Sequence, residues 1–292
     1  MHLGGKTMQY FKALRIRTWL VISLILGFAL VVTFSCDTGK LFSGELASSK
    51  SRQSVNKEVL ATVYSYNANG ELLSYRELEY DSNGTPAKFK EYTADGELSD
   101  YTTAEYDSNG NQMNWRKYNA SGELLAYSEY EYDSKGRLTK WSDYNSNGEL
   151  ISYVKLELDS KGKETKVNWY DNAAELSSYM EKEYDTKGNL TKWSNYNANG
   201  KLLAYSKYEY DSNGNMAVII VYGANGEWEV NAKYEYDSNG NHTKTIEYDA
   251  NGKLNYKSDN EYDSNGNLTK EINYNVENGE VDSYTVYLYK KR

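Results

Sequence analysis

LLAYSEYEYDSKGRLTKWSDYNSNGELISY, residues 124–153, holds two turns and the strands they join. Its Tyr132-Asp133-Ser134-Lys135-Gly136 recurs at Tyr80, Tyr106, Tyr184, Tyr210, Tyr236 and Tyr262 on a 26-residue grid, with Leu158 filling the one gap. A second grid, of the type Tyr144-Asn145-Ser146-Asn147-Gly148, runs from Tyr66 to Tyr274. A period this regular marks an array of one small supersecondary unit. Each unit then contacts its neighbours and the array has no internal domain boundary.

Asp at the first and Gly at the fourth position suit a type I turn ending in a left-handed residue. In a hairpin this makes a three-residue loop closed by a G1 bulge. The turn residues are Asp81 and Gly84, Asp107 and Gly110, Asp133 and Gly136, Asp211 and Gly214, Asp237 and Gly240, and Asp263 and Gly266. Ala174 stands where a turn Gly is expected. Each repeat divides into strands of about 9 and 11 residues and two such loops.

Continuing the pairing from the turns sets Tyr132 opposite Leu138, Tyr144 opposite Leu150 and Trp141 opposite Tyr153. Equivalent positions pair Phe89 with Tyr101 and Trp115 with Tyr127. Alternation then gives one face Tyr130, Tyr132, Leu138, Tyr144 and Leu150, the expected concave or buried side. The other face receives Leu125, Tyr127, Trp141 and Tyr153. The unequal strands displace the chain by two residues for every two strands, a tilt of roughly 35°. The expected fold is all-β: an antiparallel meander of about 18 strands, drawn as a coiled open sheet or hollow shell. Val281–Tyr289 reads as its edge strand, blunted by Lys290, Lys291 and Arg292. Met216–Val221 (MAVIIV) is apolar on both faces, so it is either covered twice or a sticky surface.

Thirty-one Tyr against one Pro favour pleated, half-buried surfaces. A low mean hydropathy with so many aromatics describes a thinly cored folded chain, because disordered chains are poor in aromatics. All 42 acidic residues follow Cys36, against 29 of the 33 basic ones, which leaves −13. That charge opposes nucleic acid and an anionic membrane surface as partners.

Residues 1–36 read as an export signal, with a signal helix. Lys12, Arg15 and Arg17 precede an apolar run, Trp19–Phe34, too short for a spanning helix. Cys36 is the only cysteine, so no disulfide framework exists within the monomer. Thr33-Phe34-Ser35-Cys36 resembles the lipobox of bacterial lipoproteins, which implies lipidation of Cys36 and a lipid-anchored place in the cell envelope, at the outer membrane or cell surface. Residues 37–58 suit a flexible tether, and 59–292 carry the array.

Tyr130-Glu131-Tyr132-Asp133-Ser134-Lys135-Gly136-Arg137-Leu138 resembles the YD repeat of the Rhs family. Tyr184–Thr191 and Tyr262–Thr269 are close variants. In that family strand-turn-strand repeats form large coiled sheets, sometimes shells around a toxin. The period of 26 is longer than the family's usual one, so a standalone repeat lipoprotein is the fuller description.

Catalytic raw material is scarce. The histidines are His2 and His242, and no cysteine follows Cys36, so nucleophilic Cys/His pairs and His/Cys metal sites are not expected. The Asp-x-Asn-Gly turns invite a calcium reading, but an Asx-type hydrogen bond explains the Asp equally well. No catalytic residue, metal or cofactor is expected. Trp115, Trp141, Trp193, Tyr127, Tyr153 and Tyr205 form a stripe that either packs across strands or stacks on sugar rings or protein side chains. The expected function is a non-catalytic binding or structural module, with glycan or cell-wall binding, or an Rhs-like shell working with a separate toxin, as alternatives.

Overall fold

The computed structural model describes residues 58–291. The signal, Cys36, the tether to residue 57, and Arg292 lie outside the described residues. Eighteen strands follow one another as a meander. They are β1 (Glu58–Asn67), β2 (Leu72–Tyr80), β3 (Pro86–Thr93), β4 (Leu98–Tyr106), β5 (Gln112–Asn119) and β6 (Leu124–Tyr132). Next come β7 (Leu138–Asn145), β8 (Leu150–Leu158), β9 (Glu164–Asp171), β10 (Leu176–Tyr184), β11 (Leu190–Asn197) and β12 (Leu202–Tyr210). The last six are β13 (Met216–Gly223), β14 (Trp228–Tyr236), β15 (His242–Asp249), β16 (Leu254–Tyr262), β17 (Leu268–Tyr274) and β18 (Val281–Lys291).

The turns form as their residues dictate. Asp133 N–H donates to Arg137 O at 2.9 Å, and Gly136 N–H donates back to Asp133 O at 2.9 Å. Gly136 has φ 74°, the left-handed region that glycine enters without a Cβ clash. Asp133 Oδ1 accepts the Lys135 and Arg137 amides at 2.9 and 3.0 Å. Ala174 takes the same left-handed conformation with φ 62°.

Two expectations about the sheet are corrected. The two strands of a repeat have 8 and 9 residues, as β7 and β8 do, not 9 and 11, and every pairing carries a register shift one residue inside the strand. Tyr132 faces Leu138 as expected, but Glu131 then faces Lys140, leaving Thr139 as an extra residue. Tyr144 faces Leu150, yet Trp141 meets Val154 and Ser142 meets Tyr153. Phe89 likewise meets Thr102, and Trp115 meets Ser128. An extra residue moves all that follows by one place, so Trp141 joins the face of Tyr130 while Tyr144 joins that of Tyr127.

The second correction concerns the edge. β18 pairs with β1, Tyr289 opposite Leu60 and Val286 opposite Tyr64, so the sheet closes into a barrel. Lys290 and Lys291 lie inside that ladder, opposite Val59 and Glu58, and guard no edge. Closure follows from the offset. Arg76 faces Glu91, which faces Asp100, two residues short of the position equivalent to Arg76. The same step around the ring amounts to about one residue per strand, a tilt near 35° and a ring roughly 33 Å across. The internal bulges strengthen the twist that bends the sheet round.

The face bearing Leu78, Phe89, Val154, Val167, Trp193, Ile219 and Val221 holds most of the buried apolar side chains. It is the lumen face, since closing a sheet crowds side chains on its concave side and splays them on the convex side. Ile219 and Val221 of the apolar β13 point there, while Val218 and Ile220 are half-buried outside beside Lys207, Lys233 and Asn231.

Candidate functional site

The six residues of the aromatic stripe do not share a face. Trp115, Trp141 and Trp193 point into the lumen; Tyr127, Tyr153 and Tyr205 point out. Outside, Tyr127 stacks on Tyr144 at 4.7 Å, Tyr153 on Tyr170 at 4.6 Å and Tyr205 on Tyr222 at 4.8 Å, with interplanar angles of 10°, 6° and 8°. The strand on the other flank of each supplies a cation. Arg116 lies 5.2 Å from the Tyr127 centroid, Lys140 5.4 Å from Tyr153 and Lys192 5.8 Å from Tyr205. Both ring faces therefore have protein partners, and a sugar stacking there would displace one.

The outer face also carries Glu–Lys pairs: Lys90–Glu79 at 2.5 Å, Lys140–Glu131 at 2.7 Å and Lys192–Glu183 at 2.9 Å. A shallow outer cleft of about 320 Å³ lies between Lys140, Lys155, Glu157 and Tyr170. Charge in the middle of such strands interrupts the apolar band that a lipid-facing barrel needs. Several exposed apolar side chains sit at bulges, as Leu73, Leu125, Ile151 and Leu203 do.

At one end of the barrel the grid tyrosines reach across to the preceding strand. The Tyr80, Tyr106, Tyr132, Tyr184, Tyr210, Tyr236 and Tyr262 hydroxyls donate to the carbonyls of Leu60, Pro86, Gln112, Glu164, Leu190, Met216 and His242 at 2.6–2.9 Å. Leu158 interrupts this row. Tyr289 continues it to Leu268 O at 3.0 Å, brought into register by the longer loop Asn275–Glu280. Burial pushes the Tyr80 and Tyr184 hydroxyls up to about 12.

The turn carboxylates are occupied too. Asp107, Asp133, Asp211, Asp237 and Asp263 each accept amides of their own turn, and these hydrogen bonds hold them below the usual carboxylate range. Among the described residues no group of three or more His, Cys, Asp and Glu is placed to hold a metal ion.

What the repeat does not absorb gathers on the lumen wall of β14 to β16. His242 faces Tyr236, as its place in the repeat predicts. Its Nε2 lies 3.1 Å from Thr245 Oγ1, and Asn260 Nδ2 donates to its carbonyl at 3.0 Å. Two residues beyond Thr245, Glu247 sits between Ala232 and Tyr256, 7% exposed. Its Oε2 has no hydrogen-bond partner, and burial raises the carboxyl to about 7. Burial also raises the Tyr234 and Tyr256 hydroxyls, the charge of Glu247 adding to both. Pairing carried straight on from the turn sets Glu247 against Asn231, which hides this site from the sequence.

No family model and no curated protein matches the chain. Among solved structures it is similar to a porin-like protein from Bacteroides uniformis, at 13% identity and TM-score 0.43, covering 79% of this chain and 96% of that one. A porin-like protein from Bacteroides vulgatus gives 13% and 0.38, covering 79% and 98%. A TcdB2-TccC3 structure gives 14% and 0.25, covering 74% of this chain and 16% of that one. At such scores these likenesses carry no weight for function.

Proposed function

We propose that the chain is a non-catalytic, exported and lipid-anchored β-barrel that serves as a binding or structural module of a bacterial cell envelope. One observation carries this reading. The repeated Asp, Tyr and Gly are taken up by turns, hydroxyl bridges and stacks, whereas on the lumen wall of β14 to β16 two buried polar atoms of residues outside that pattern, Glu247 Oε2 and Asn260 Oδ1, lack partners. A scaffold so occupied leaves recognition to the few residues that depart from the pattern. The charged outer face suits water, and the layout of residues 12–36 supplies attachment through Cys36.

Peptide mass spectrometry of the mature N-terminus, on protein from the producing cell, tests the anchor. A thioether-linked diacylglyceryl group on Cys36 is expected, and an unmodified Cys36 overturns it. Native mass spectrometry of the same material tests the module. A bound species released on denaturation supports it, and substrate turnover abolished by Glu247→Gln overturns the non-catalytic assignment.

A further inference from the structure

Glu91, Asp143 and Glu247 occupy one position of the repeat, on the lumen face of β3, β7 and β15. The residue across from each, on the preceding strand, differs. Arg76 faces Glu91 and forms an ion pair with it. Ser128 faces Asp143 and donates to its carboxylate, with Ser152 on the other flank. Ala232 faces Glu247, and it has neither charge nor hydrogen to give. A carboxylate this buried is stable as an anion only when a donor or a cation reaches it.

The surroundings define what fits. Tyr208, Ile219, Ala232, Glu247 and Tyr256 form a single cross-strand row on five consecutive strands. Tyr234 stands one step along from Ala232. Ala232 is the smallest side chain of the row, between Ile219 and Glu247, with Tyr234 one step along its own strand and Tyr208 and Tyr256 at the two ends of the row. Aromatic walls favour a cation, and the unpartnered Oε2 favours one that carries N–H donors.

We propose that this row binds an organic cation with a primary ammonium or guanidinium head, which takes beside Glu247 the place that the Arg76 guanidinium takes beside Glu91. The site deepens the reading of the chain as a binding module. The head donates to Oε2 and its alkyl stem lies over Ala232 between the Tyr208 and Tyr234 positions.

Calorimetric titration of the full chain with n-butylammonium at pH 8 tests it, with tetramethylammonium and 1-butanol as comparators. Saturable binding is expected for n-butylammonium, at least tenfold weaker for tetramethylammonium, which has no N–H, and absent for 1-butanol, which has no charge. Glu247→Gln should weaken n-butylammonium at least tenfold. Ala232→Arg should abolish binding by supplying the cation from within, and Tyr234→Leu should weaken it while leaving Glu247 in place. Absence of n-butylammonium binding overturns the proposal, as does equal binding of 1-butanol or unchanged affinity in Glu247→Gln or Ala232→Arg. Such a failure alongside a lipidated Cys36 and another bound species leaves the module reading standing and removes only the cation.

Discussion

Between β2 and β13 the outer tyrosines stack in cross-strand pairs from Tyr75–Tyr92 to Tyr205–Tyr222, and Trp115, Trp141 and Trp193 fill the lumen face. Between β14 and β17 the same positions read differently. Asn231 and Lys257 replace the first tyrosine of the outer pair, so Lys233 and Lys257 reach the Tyr248 and Tyr274 rings instead. Inside, Thr245 and Glu271 replace the tryptophans. One arc conserves the packing that the repeat was built for, and the other trades it for polarity. The backbone is nonetheless continuous across both, because turns and bulges, not the variable side chains, set the register.

The sharpest contrast lies within the regular arc, between its two sides. Trp193 is 6% exposed in the lumen, and Leu203 is 49% exposed at an outer bulge. Trp193→Ala should cost about 3–5 kcal/mol, as large aromatic truncations in packed sites do. Leu203→Ala should change stability by less than about 0.5 kcal/mol. Urea unfolding measures both, and equal losses would place the packed face on the wrong side of the wall.

Glu247 distinguishes the divergent arc by pH. The ordinary value of the group is 4.5, and burial lifts it to about 7. Between those values the folded chain keeps a proton that the unfolded chain has released. Stability should therefore fall as pH rises from about 4.5 to 7 and level off above, by about 3 kcal/mol in all. Tyr208, Tyr234, Tyr236, Tyr256 and Tyr262, with Glu271 on β17 and Asp249 at the turn, are other titratable groups on this face. His242 lies on the same strand and bonds Thr245. Glu247→Gln removes only the carboxyl, so unfolding at pH 5 and pH 8 should differ far less in the variant. An unchanged slope would reassign it to another group.

Much of this was legible in the sequence. The turns, the strand number and the two-residue offset follow from Asp133, Gly136 and their equivalents, because each needs only local chemistry. Closure was not legible, since it depends on small offsets around the ring bringing Tyr289 level with Leu60. The internal bulges were missed because Thr139 and Ile151 look like any strand residue; nothing in their chemistry asks to be unpaired. That single missed residue moved Trp141 to the wrong face and hid the pairing of Glu247 with Ala232.

Ala174 offers a smaller test at a turn. Its φ of 62° places a Cβ where sixteen glycines carry none. Ala174→Gly should stabilise by about 1 kcal/mol, read as a rise in the thermal midpoint. A fall would show that the degenerate repeat had adapted to alanine.

Leu158 is the finest probe of what the regular arc repeats. Seven other grid positions hold a tyrosine whose hydroxyl bridges to the strand before it, Tyr132 to Gln112 O at 2.8 Å and Tyr184 to Glu164 O at 2.7 Å. By the same offset, a tyrosine at 158 would meet the carbonyl of Leu138. Leu158 pairs with Glu164, as its equivalents pair with the residue after their turn, so the backbone is already placed for the exchange. One added neutral hydrogen bond is worth about 0.5–1.5 kcal/mol, offset in part by burying the hydroxyl. Leu158→Tyr should therefore gain about 0.5 kcal/mol, and Tyr132→Phe should lose about 1 kcal/mol. If Tyr132→Phe is neutral, the hydroxyl row is incidental and the tyrosines are held by their rings alone; if it costs stability while Leu158→Tyr gains none, the repeat that holds Leu158 has settled around leucine and the row is local rather than a property of the grid.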